Sequence, residues 1–199
     1  MSDFPPQDLR SFLEFCAGDW LSVRSCFDLR EPQPLAGLAG NEAPAAESPV
    51  PDEPPEHWHA ALRGELQVLF LDPAQAGDPG GLRVTPPQAA GGAASIQELV
   101  FDASGGFQRH PGVGSGSIRG RWRFWPDGSL ELVEATGEAV VRERIWFTKP
   151  NLRLRSSIEQ RPGGRPARAS FASEIRRVSR PTTPAAPAAT TAAGAGMSG

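Results

Sequence analysis

From residue 64 onward the chain is a succession of short runs that alternate apolar and polar residues, cut apart by turn residues. Seven runs predict strands: 64–71, 95–102, 117–125, 129–136, 139–147, 151–159 and 168–178. Pro126-Asp127-Gly128 is a strong turn between two of them, and Thr136-Gly137-Glu138 a weaker one. Lys149-Pro150-Asn151 breaks the ladder again, because proline has no N–H to donate. After residue 20 no segment keeps a helical period over ten residues. Many short strands with turns between them form a sandwich or an up-and-down barrel. A barrel with one short helix ahead of it is the architecture expected here, and barrels of about eight to ten strands have room inside for one small ligand.

The helix is predicted over residues 5–18. Pro5 and Pro6 suit a first turn, Leu9, Phe12, Leu13 and Cys16 keep the i, i+3, i+4, i+7 spacing, and Gly18 is placed to end it. A helix of three turns is marginal alone and must dock on something. Residues 20–29 then read as a strand, with Leu21, Val23 and Phe27 on one face and Trp20, Ser22, Arg24 and Cys26 on the other. Residues 31–57 are rich in proline, hold six acidic residues and no basic one, and read as a disordered insert. Residues 73–94 read as a Gly/Pro/Ala-rich flexible loop, and 181–199 as a low-complexity tail. The expected organisation is therefore one domain over 1–180 followed by that tail.

Charge is distributed unevenly. The net charge is −3, yet residues 137–180 carry eleven basic and four acidic side chains. Such a segment meets an anionic partner or lies on solvated strand faces. The interleaved Arg119, Arg121, Arg123 with Trp122, Phe124 and Trp125 raises single-stranded nucleic acid as a partner. Overall charge is negative and no nucleic-acid signature accompanies the run, so no nucleic acid is expected. Cys16 and Cys26 make neither a zinc set nor a disulfide framework. His57 and His59 have no matching ligand cluster, so no metal is expected. Gly112-Val113-Gly114-Ser115-Gly116 lacks a dinucleotide context, and no hydrolase, kinase or Walker sequence is present. Without a leader pattern or a stretch of roughly 18 apolar residues, a cytoplasmic protein with no membrane span is expected.

Two strands carry candidate chemistry. On the run 139–147, Glu143 shares a face with Val141, Ile145 and Phe147. A carboxylate there is either paired inside the core or aimed at a ligand, since an unpaired one is costly. On 151–159, Arg153, Arg155 and Ser157 share a face opposite Leu152, Leu154 and Ile158. Two arginines two apart project side by side, about 7 Å apart, which suits two carboxylates on one ligand. From these residues alone the simpler reading sends the arginines to water and the leucines to the core. Arg24, beside Trp20 and Ser22, is likewise read first as a surface arginine.

Three stretches resemble the S/U-type phycobiliprotein lyase (CpcS/CpeS-like) family. They are Phe12-Leu13-Glu14-Phe15-Cys16-Ala17-Gly18-Asp19-Trp20-Leu21-Ser22-Val23-Arg24, then Glu143-Arg144-Ile145-Trp146-Phe147-Thr148-Lys149-Pro150-Asn151-Leu152-Arg153-Leu154-Arg155-Ser156-Ser157, and Ala169-Ser170-Phe171-Ala172-Ser173-Glu174-Ile175-Arg176-Arg177. The resemblance implies an all-β, lipocalin/calycin-like antiparallel barrel of about ten strands with a docked N-terminal helix. It implies a lyase that holds a linear tetrapyrrole (phycoerythrobilin or phycocyanobilin) non-covalently and promotes its thioether attachment to a cysteine of an apo-phycobiliprotein subunit. The bilin is then a substrate, and no cofactor is called for. By the same resemblance Glu143 contacts the pyrrole nitrogens as the catalytic residue. Arg153 and Arg155 bind the two propionates, Arg24 and Ser157 line the pocket, and Trp122 packs on the tetrapyrrole. A homodimer, or a heterodimer with a related lyase chain, is a further implied partnership. The alternative is a non-catalytic lipocalin-like carrier of a tetrapyrrole or another amphipathic acid.

Overall fold

Ten antiparallel strands close into one barrel, each pairing with its neighbours in chain order and the last pairing with the first. The structure is a computed structural model and describes residues 4–30, 59–86, 96–112 and 116–178. The expected insert 31–57, most of the second half of the loop 73–94, and the tail 181–199 lie outside the described residues. The strands are β1 (Gly18–Asp28), β2 (His59–Leu71), β3 (Gly80–Thr85), β4 (Gln97–Phe101), β5 (Gly106–His110), β6 (Ile118–Phe124), β7 (Leu130–Thr136), β8 (Ala139–Lys149), β9 (Leu152–Gln160) and β10 (Pro166–Arg176). One helix, α1 (Leu9–Cys16), precedes them.

The helix is shorter than its apolar spacing suggests. Asp8 caps it, accepting from the Ser11 N–H at 2.8 Å, while the Ser11 hydroxyl accepts from the Asp8 N–H at 3.3 Å. Pro5 and Pro6 therefore lie before the helix rather than in its first turn. Its apolar face, Leu9, Phe12, Leu13 and Cys16, is buried and closes one end of the barrel. Phe12 stands edge-on to Phe124 and Phe147, with ring centroids 5.7 and 5.3 Å away. The Trp20 indole donates to the Cys16 carbonyl at 2.9 Å, which ties the helix end to β1.

Two strands were not expected. β3 falls inside the span read as a loop, because Gly80 and Gly81 hide a Leu82/Val84 alternation that faces inward. Gly81 also lies against β4 so closely that a Cβ would meet the Leu99 carbonyl at 2.4 Å. β5 has only Phe107 and Arg109 on its inner face. Phe107 packs against β6 over Gly120, where a Cβ would sit 2.4 Å from its ring.

The interior is divided along the barrel axis. The helix end is filled by the apolar core: Trp20, Val68, Leu82, Leu99, Phe101, Phe107, Leu130, Leu132 and Ile145 pack with α1. Toward the other end the described inward residues are less buried. Leu62 shares the inward face of β2 with Leu66 and Val68, yet it is 58% exposed. Between core and mouth, the inward positions of β1, β9 and β10 are mostly polar and Glu143 is the charged inward position of β8, while several large apolar residues of β1 and β10 point out. Leu21, Val23, Phe171 and Ile175 are exposed while Glu143, Arg153 and Glu174 are buried.

Candidate functional site

Cross-strand register places the expected site residues in adjacent rows on one wall. Arg24 faces Ala172, which faces Arg155, which faces Ile145. One step toward the mouth, Cys26 faces Ser170, Ser170 faces Ser157, and Ser157 faces Glu143. One step toward the helix, Ser22 faces Glu174 and Glu174 faces Arg153. The Ser157 and Ser170 hydroxyls share a hydrogen bond of 2.8 Å. The arginines of β9 thus point into the barrel and its leucines do not fill the core, the reverse of the simpler reading of the strand. A barrel interior makes this possible, because a guanidinium there meets carboxylates from the facing strands instead of water.

A chain of alternating charges crosses the lumen. Glu134 on β7 accepts from Arg109 Nε at 2.9 Å. Arg109 Nη2 then lies 3.5 Å from Glu143 Oε2. The other oxygen of Glu143 accepts from Arg155 Nη2 at 2.5 Å and Nε at 3.0 Å. Arg155 Nη1 stands 3.7 Å from Glu174 Oε1, and Arg153 Nε donates to Glu174 Oε2 at 2.6 Å. Glu174 Oε1 is buried without a hydrogen bond. Burial pushes the Glu143 carboxyl up, but the charges of Arg155 and Arg109 outweigh it and hold the group below its usual range. Burial likewise disfavours the Arg155 cation, and the fields of Glu143 and Glu174 more than reverse that. Glu143 is therefore a carboxylate, suited to balance a cation rather than to donate a proton.

Arg24 differs from the other three interior arginines. It is half-buried and adds its field to Glu143, but among the described residues no carboxylate lies within ion-pair distance of it. In the middle of the barrel, the guanidiniums of Arg24, Arg109, Arg153 and Arg155 thus outnumber the carboxylates of Glu134, Glu143 and Glu174 by one.

The remaining expected residues fall in two places. Arg153 sits behind the lumen, 3% exposed, paired with Glu174 and stacked over the Trp20 ring at 4.5 Å. Trp122 faces inward in the row Trp122, Leu132, Glu143, packed against the core, with its indole donating to the Asp102 carbonyl at 3.0 Å. Arg119, Arg121 and Arg123 are exposed on the outer face of β6, while Gly120, Trp122 and Phe124 turn inward. Within the strand the basic and aromatic residues thus lie on opposite faces, while Trp125 just beyond it lies under Arg123, whose guanidinium carbon is 3.7 Å from the ring centroid. Sequence reading missed Arg109, Glu134 and Glu174. Among the described residues no cluster of histidine, cysteine and carboxylate fits a metal ion, and no helix is long and apolar enough to cross a membrane.

Comparison with known proteins bears on the family and the fold. The profile of the CpeS-like protein family matches residues 92–177. Chromophore lyase CpcS/CpeS 1 of Paulinella chromatophora is 34% identical over 178 residues, which covers 88% of this chain and 92% of that one. Chromophore lyase CpcS/CpeS of Thermosynechococcus vestitus is 48% identical over a shorter stretch of 59 residues, 30% of this chain and 32% of that one. The solved S-type phycobiliprotein lyase CPES from Guillardia theta shares the fold, with a TM-score of 0.54 at 18% identity over 86% of this chain and 94% of that one. Agreement with the Paulinella relative along nearly its whole length, on a barrel of the same fold, places the chain in the CpcS/CpeS family of chromophore lyases.

Proposed function

We propose that this chain holds a linear tetrapyrrole, phycoerythrobilin or phycocyanobilin, non-covalently in the half of the barrel away from α1. It presents ring A to a cysteine thiolate of an apo-phycobiliprotein subunit. The observation that carries this reading is the inner barrel wall where Arg24, without an ion pair among the described residues, stands near Arg155 and the buried Glu143 carboxylate. A bilin brings two propionates and a run of pyrrole nitrogens. Arg24 takes one propionate directly. Arg155 takes the other by exchange with Glu143, which turns its freed oxygen toward the nitrogens and balances a protonated tetrapyrrole. Ser157 lines the wall beside them. Arg153 holds Glu174 from behind, and Trp122 closes the lumen toward the core. The acceptor cysteine supplies the nucleophile, so the lyase contributes orientation, charge balance and shelter from water.

Titration of the purified protein with phycocyanobilin, phycoerythrobilin and their dimethyl esters tests the reading. The free acids should bind and change colour, and the esters, which lack carboxylates, should bind at least tenfold more weakly. Equal binding of acid and ester would sink the propionate assignment. A coloured complex that never delivers its bilin to an apo-subunit would favour the carrier.

A further inference from the structure

We propose that Arg109 is a positioning residue of the bilin site, holding Glu143 from the side opposite Arg155 so that its carboxylate stays in the lumen. The inference rests on the bilin reading above and goes beyond it. Glu143 stands on β8 and Arg155 on the adjacent strand β9. Arg109 comes from β5, three strands away in the other direction, and its side chain reaches over β6 to both β7 and β8. Its own strand neighbours, Leu99 and Ile118, carry no charge to hold it back. Its Nε is fixed by Glu134 at 2.9 Å, leaving Nη2 aimed at Glu143 Oε2 at 3.5 Å. Each oxygen of Glu143 is thus assigned to a different guanidinium. Without Arg109 the carboxylate is free to swing wholly onto Arg155 as a bidentate pair. That movement takes its charge toward the wall and stops Arg155 from accepting a propionate.

The groups around Glu143 are Arg155 from β9, Arg109 from β5 and Arg24 from β1, with Glu134 of β7 and Glu174 of β10 each paired to an arginine. Removing Arg109 deletes a cation and releases Glu134, and both changes favour protonation of Glu143.

The test uses the full chain as wild type, R109L, R109K, E143Q and R109L/E143Q. In bilin-free protein, the ¹³C shift of the Glu143 carboxyl is followed against pH. The midpoint should move up in R109L and less in R109K. An unmoved midpoint in the folded variants overturns the clamp, whatever happens with bilin. Phycocyanobilin is then added as the probe. R109L should retain it with a band broadened and moved to shorter wavelength, and attachment to an apo-subunit should slow about tenfold or more. Adding R109L to E143Q should change neither quantity further. A full second loss in the E143Q background means that Arg109 acts independently of Glu143 and overturns the proposal. Wild-type protein that takes up no bilin would defeat the functional reading, while the carboxyl titration would still decide the clamp.

Discussion

Replacing Arg155 by leucine removes the cation shared by two buried carboxylates. Glu143 loses its contacts of 2.5 and 3.0 Å and keeps only Arg109 at 3.5 Å. Glu174 loses a partner at 3.7 Å and keeps Arg153 at 2.6 Å. Stripping a buried ion of its partner costs 3–5 kcal/mol. Since each carboxylate here retains one guanidinium, the expected cost is roughly 3 kcal/mol, at the lower end. The cost should also depend on pH. In the wild type the Glu143 carboxyl lies below its ordinary value. Its contribution is complete above the ordinary carboxylate range and is lost as pH falls through the lower folded value. In R155L burial dominates, the carboxyl rises above its ordinary value, and the charged form is destabilising at neutral pH. The deficit should therefore shrink as pH falls from about 7 to about 5, by about 1.4 kcal/mol for each unit that the folded pKa has risen. Urea unfolding of both proteins at the two pH values measures this. A deficit below about 1 kcal/mol at pH 7, or an equal deficit at both pH values, would refute a functioning buried network.

Other substitutions separate binding from stability. Arg24→Leu should abolish bilin retention while shifting the unfolding midpoint little, because Arg24 has no ion pair to lose among the described residues; co-purification of bilin and urea unfolding read the two effects. Phe12→Ala, at a fully buried position under Phe124 and Phe147, should cost about 3–5 kcal/mol in the same unfolding assay. Asp8→Ala removes the helix cap and should cost about 1 kcal/mol without altering the colour of the bound bilin. Changing Arg119, Arg121 and Arg123 together to serine should leave bilin binding unchanged, since all three lie on the outer face of β6.

The strands of this barrel were legible because alternation survives in most of them, and the turn at Pro126–Gly128 has the right residues. β3 and β5 were not, since strands of six and five residues with two and one large apolar positions give too little pattern to register. Alternation shows which side chains share a face and is silent on which face is inside. On β1, β9 and β10 the usual rule is inverted: Leu21, Val23 and Ile175 are outside and Arg153 and Glu174 inside. Only the resemblance of the block from Glu143 to Ser157 turned the arginines inward. Arg109 was hidden with β5. Glu174 lay within a quoted stretch, on a face with Ser170 and Ala172, but its partner Arg153 becomes visible only once β9 and β10 are in register.

Transfer of chromophore tests the central claim most directly. The chain is co-produced with bilin-synthesising enzymes and an apo-phycobiliprotein subunit, and the subunit is then separated under denaturing conditions. Bilin colour that stays on the subunit, depends on this chain, and disappears with Arg24→Leu is the expected result. A subunit that remains colourless beside a folded, bilin-loaded chain would contradict the account.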